Sequence, residues 1–148
     1  MSLEIKINED IKTAMLAREK DKLDALRAVK SAVLMAKTEK AGGAIDEETE
    51  IKMLQKMVKQ RKEAAEIYLA QSRQDMADAE LFQASVIEAY LPAQLSAAEI
   101  ELVLKEIIAE TGATSAKEMG KVMGLASQRL SGKADGKLIA QLVKEMLS

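Results

Sequence analysis

Histidine, cysteine and tryptophan are absent from this chain, and proline occurs once. These absences remove imidazole as a base or metal ligand, thiolate as a nucleophile or soft ligand, and any disulfide framework. Zinc sites, Cys-His or Ser-His catalytic sets and haem ligation are therefore excluded, and no metal or cofactor is expected. Long apolar runs are missing too: nothing approaches the roughly 20 residues of a membrane helix. Residues 1–11 mix Glu4, Lys6, Glu9 and Asp10 with apolar side chains, unlike a signal peptide, so the expected compartment is the cytoplasm, with no membrane partner. Neither sign of charge dominates, with 22 basic and 24 acidic residues and a net charge of −2. A polyanion would have to be met by a local patch rather than a long-range field. The aromatics are Tyr68, Phe82 and Tyr90, all at helix positions expected to be at least partly buried, which argues against single-strand binding by base stacking.

What remains is helical spacing almost everywhere, and the fold class read from it is all-α. Ile7, Ile11, Ala14 and Met15 form a first stripe, and Leu23, Leu26, Val29, Val33 and Ala36 a second, ended by Gly42-Gly43. A third helix over about 46–71 carries Ile51, Leu54, Met57, Val58, Ala65 and Tyr68. A fourth over about 74–90 carries Ala79, Phe82, Val86 and Ala89. Four antiparallel helices joined by short loops would cover these faces. Pro92 disfavours a helical Leu91, so a four-helix bundle is predicted over 1–91 and a second domain over 92–148. There Ser96/Glu99 and Ser115/Glu118 have capping-box spacing, Thr111-Gly112 reads as a helix stop, and Asp135 as the cap of a last helix. The stripes that follow are Ile100, Val103, Leu104, Ile107 and Ile108; then Met119, Val122, Met123, Ala126 and Leu130; then Leu138, Ile139, Leu142, Val143 and Met146. The methionines at stripe positions, Met15, Met53, Met57, Met119, Met123 and Met146, read as flexible core filler.

Five of the seven glycines lie at or beyond Gly112, which suggests a tightly packed unit with an exposed backbone corner. Gly132-Lys133-Ala134-Asp135-Gly136-Lys137 is not a Walker A loop: only three residues separate its glycines, and Leu138 follows the lysine. It is either an ordinary capped turn with two solvated lysines or an anion site, in which free N–H groups and the helix dipole meet a phosphate. Between Lys117 and Lys137 five basic residues (Lys117, Lys121, Arg129, Lys133, Lys137) face two acids, Glu118 and Asp135. Lys56, Lys59, Arg61 and Lys62 cluster on the third helix and read as a solvated face, with Glu63 and Glu66 available to pair. Asp46/Glu47/Glu48 and Asp75/Asp78 sit at helix starts, where carboxylates complement the dipole. No nucleophile stands beside a base, so catalysis by the chain alone is not expected.

Leu26-Arg27-Ala28-Val29-Lys30-Ser31-Ala32, Tyr90-Leu91-Pro92-Ala93-Gln94-Leu95-Ser96, Gly120-Lys121-Val122-Met123 and Gly132-Lys133-Ala134-Asp135-Gly136-Lys137-Leu138 together resemble the GatB/YqeY family, in its free-standing YqeY type. The resemblance covers essentially the whole chain. It implies a four-helix and a three-helix bundle, the second similar to the tail of the B subunit of glutamine-dependent aminoacyl-tRNA amidotransferase. That enzyme is a carbon–nitrogen ligase with glutamine as amido donor, and its tail helps hold tRNA while the chemistry lies in other domains. No segment here resembles those catalytic domains. The implied role is a non-catalytic accessory module, with tRNA as the expected partner; the alternative is a protein–protein adaptor without RNA. The candidate phosphate contacts are Lys121, Gly132, Lys133, Gly136 and Lys137, within motifs that also contain Gly120, Ala134 and Asp135. One departure matters: enzyme tails often carry Asn-Pro where this chain has Asp135-Gly136, which sets a carboxylate beside the corner.

Overall fold

A computed structural model of the chain describes residues 2–40 and 42–148; Met1 and Ala41 lie outside the described residues. Those residues contain helices and no strand, as the periodicities predict. The chain divides into two compact units, Met1–Leu91 and Pro92–Ser148.

The first unit consists of α1 (Leu3–Leu16), α2 (Lys20–Glu39), α3 (Glu47–Ala70) and α4 (Gln74–Glu88). Helix α1 packs along α2, α3 along α4, and α2 against α4. Ile7, Leu26, Val29, Leu54 and Ile87 are wholly buried at the centre. The α1–α2 and α3–α4 turns are built alike. After α1, the Arg18 N–H donates to the Met15 carbonyl and that of Glu19 to the Ala14 carbonyl; after α3, Ser72 and Arg73 donate to Leu69 and Tyr68 in the same way. This is the Schellman pattern, whose left-handed residue is usually glycine. Here it is Arg18 (φ 56°) and Ser72 (φ 60°). Glycine spacing could not reveal these corners.

Cross-ties fix helix neighbours: Lys37 with Glu4, Lys62 with Glu88 at 2.6 Å, and Arg61 Nε donating to Gln83 Oε1 at 3.0 Å. Part of the basic cluster on α3 thus holds α4. Two stripe expectations are corrected. Met15 is 54% exposed, because neighbouring Ala14 takes the inward position. On α4 the buried residues are Ala77, Ala84 and Ile87, while Ala79, Phe82 and Ala89 are exposed and Val86 is half-buried. An alanine-rich helix offers apolar residues on more than one face, and the small alanines are the ones that let neighbouring helices approach.

Tyr90, just past α4, donates its hydroxyl to Asp10 Oδ2 on α1, and Lys6 lies over its ring at 5.3 Å from the centroid. Burial, then the hydrogen bond to Asp10 and its charge, push the Tyr90 phenol above the ordinary value of 10. A folded-state value above the unfolded one means that this stabilisation is complete below about pH 10 and is lost as pH climbs beyond it. Urea midpoints of the wild-type chain should therefore fall as pH rises from about 10 towards 12, and Tyr90→Phe should flatten part of that fall. Equal slopes in the two proteins would show that the phenol is not coupled to folding.

The second unit consists of α5 (Ala97–Thr111), a 3₁₀ turn at Ala116–Glu118, α6 (Met119–Arg129) and α7 (Gly136–Leu147). Ile100, Leu104, Ile107, Val122, Ala126, Leu130, Ile139 and Val143 form its core, with Val103, Met119, Met123, Leu138 and Met146 packed around them. The Ser96/Glu99 box forms: Ser96 N donates to Glu99 Oε1 at 3.1 Å and Glu99 N to Ser96 Oγ at 3.2 Å. The Ser115/Glu118 box does not form. Glu118 Oε2 accepts from Thr114 N at 2.7 Å, and Ser115 makes no side-chain cap bond, because a 3₁₀ turn rather than an α-turn follows it. Gly112 ends α5 in the left-handed conformation (φ 69°). The expectation of close backbone approach is corrected at Gly120, Gly124 and Gly136, where a Cβ would meet nothing within 4 Å.

Candidate nucleic-acid interface

The corner preceding α7 begins as a turn in which Lys133 N donates to Leu130 O at 2.9 Å. Gly132 occupies the third position of that turn with φ 75°, a conformation that side chains other than glycine's strain to adopt. Two bonds then join this corner to the segment before α5. Leu95 N donates to Lys133 O at 2.9 Å, and Gln94 Nε2 donates to Gly132 O at 2.7 Å. Gln94 Nε2 also donates to Pro92 O at 2.7 Å, so one amide clamps both segments. Two motifs separated by about forty residues in sequence thus meet, and the starts of α5 and α7 lie at the same end of their unit. Nothing in the sequence alone marks Gln94 for this work.

Both helix starts carry partial positive charge, and each already has its own carboxylate. Glu99 reaches back to Ser96, and the Ser96 backbone N–H holds its carboxyl below the usual range. Asp135 caps α7 by accepting from Lys137 N at 3.3 Å. Of the candidate residues, Gly132 is buried with its carbonyl engaged by Gln94, whereas Lys133, Gly136 and Lys137 are exposed. Ala134, between them, is 7% exposed and belongs to the core. Lys121 is exposed on α6, next to buried Val122 and exposed Gly120. No ion pair occupies Lys117, Lys121, Lys133 or Lys137 among the described residues. Arg129 differs: its guanidinium grips Glu110 through two bonds, which lowers the Glu110 carboxyl and removes this cation from the local excess.

Among the described residues no group of three or more acidic side chains could hold a metal ion, and no helix is long and apolar enough to cross a membrane.

Comparison with known proteins gives a context for this architecture. A family model described as Yqey-like protein matches residues 4–147. The chain is also 30% identical over 125 residues to Altered inheritance of mitochondria protein 41, mitochondrial, from Meyerozyma guilliermondii. That alignment takes in 82% of this chain and 65% of the relative, so the chain spans about two thirds of the relative's length. With one family model running through both helical units and the seven α-helices of the described residues, the chain belongs to the YqeY family.

Proposed function

We propose that this protein is a non-catalytic accessory module related to glutamine-dependent tRNA amidation, and that it holds tRNA at the corner formed by Gly132, Lys133, Gly136 and Lys137, with Lys121 assisting. The observation carrying this reading is the junction of the two motif loops, which gathers two helix starts and two exposed lysines, without an ion pair among the described residues, at one end of a small unit. Backbone N–H groups and lysine ammonium groups contact phosphate without reading sequence. Asp135 opposes an anion there, so the lysines must outweigh it, and the expected affinity is modest. The proposed compartment is the cytoplasm; the name of the fungal relative assigns that protein to mitochondria.

Affinity capture from lysate, with and without nuclease, tests the reading. The tagged chain should retain tRNA that nuclease removes. A partner protein retained equally after nuclease treatment, with no tRNA beforehand, would replace this reading with an adaptor role.

A further inference from the structure

The exposure of Phe82 directs attention to the first unit. This residue is 44% exposed and lines a cleft of about 920 Å³ between the α1–α2 turn and α4, within the roughly 300–1,000 Å³ of small-molecule sites. The chain has three aromatic side chains, and two of them, Phe82 and Tyr90, line this cleft. Val86, one turn from Phe82, continues the apolar wall.

Seven charged side chains complete the lining, and four are engaged. Asp10 accepts the Tyr90 hydroxyl, Lys6 lies over the Tyr90 ring, and Lys22 pairs with Glu19 at 3.8 Å. Arg18, Lys20 and Asp21 have no side-chain partner among the described residues, leaving two free cations against one acid. Arg18 stands at the left-handed corner of the turn, where glycine would cost less.

We propose that this cleft binds a ligand consisting of a planar base and a phosphate, as in a mononucleotide. The base stacks on Phe82, and the phosphate meets Arg18 and Lys20. An aromatic face accepts any base, and a guanidinium fork matches phosphate oxygens. A free nucleotide and the 5′-phosphorylated end of an oligonucleotide share this chemistry.

Calorimetric titration of the full chain with adenosine 5′-monophosphate tests the site. Saturable binding is expected, with adenosine and ribose 5-phosphate each at least about tenfold weaker. Phe82→Ala should weaken binding by about fivefold to a hundredfold. Arg18→Gly should weaken binding while raising the melting temperature, because it relieves the left-handed backbone. A merely structural arginine would not give that opposition. A 5′-phosphorylated dinucleotide titrated in parallel identifies the source: tighter binding assigns the nucleic-acid end, and equal or weaker binding the free nucleotide. Failure of both probes to saturate, or wild-type affinity in both Phe82→Ala and Arg18→Gly, overturns the proposal.

Discussion

Leu104→Ala should cost the second unit about 3 kcal/mol, within the roughly 2–5 kcal/mol typical of buried leucine truncation. Leu104 is fully buried among Ile100, Ile107, Val122 and Val143, where a lost isopropyl group leaves a cavity that three short helices cannot readily close. A unit of about 60 residues has a stability on the order of 3–9 kcal/mol, so this one change removes a large share of it. At about 4–8 °C per kcal/mol, its thermal transition should fall by roughly 12–24 °C. Leu102→Ala, two residues away on the same helix, is the control. Its side chain is 62% exposed, and the expected change is within about 0.5 kcal/mol. Both variants make the same change in helix propensity, so chemical denaturation of the pair isolates burial. Similar losses in the two would contradict the assigned inward face of α5.

The second large effect is on RNA affinity. Lys133→Ala combined with Lys137→Ala should weaken tRNA binding by about tenfold or more at moderate salt. If about three phosphates are neutralised, log affinity should fall against log salt with a slope of about −2 to −3, and removing two lysines should bring it to about −1. Stability should be almost unchanged. Both side chains are exposed, and the bonds that build the corner use the Lys133 backbone N–H and carbonyl and the Lys137 N–H, all of which alanine retains. Unchanged circular dichroism with a flattened salt slope is the expected pair of results; an unchanged slope would remove the corner from consideration.

Helix number and the caps at Ser96, Gly112 and Asp135 were legible because each rests on a local rule: apolar period, hydroxyl with a carboxylate three residues on, glycine after the last turn, carboxylate before the first. Ser115/Glu118 satisfied the same spacing and failed, since a box needs an α-turn between its partners and the chain makes a 3₁₀ turn there. The face of α4 failed for a different reason. Apolar residues lie on several sides of that helix, so the stripe Ala79, Phe82, Val86 and Ala89 has helical spacing although packing selected Ala77, Ala84 and Ile87. The candidate corner was legible as a capped turn with flanking lysines. Its clamp by Gln94 and the partner that neutralises Arg129 were not, because both depend on residues brought together only by the fold.

Whether this protein holds tRNA through phosphate contacts is decided by equilibrium titration of labelled tRNA with the wild-type chain, repeated at about 50 and 200 mM salt. Saturable binding is expected at the lower salt, weakening by about 15- to 60-fold at the higher, the loss expected for a few phosphate contacts. No saturable binding at 50 mM, or an affinity indifferent to salt, would contradict this expectation.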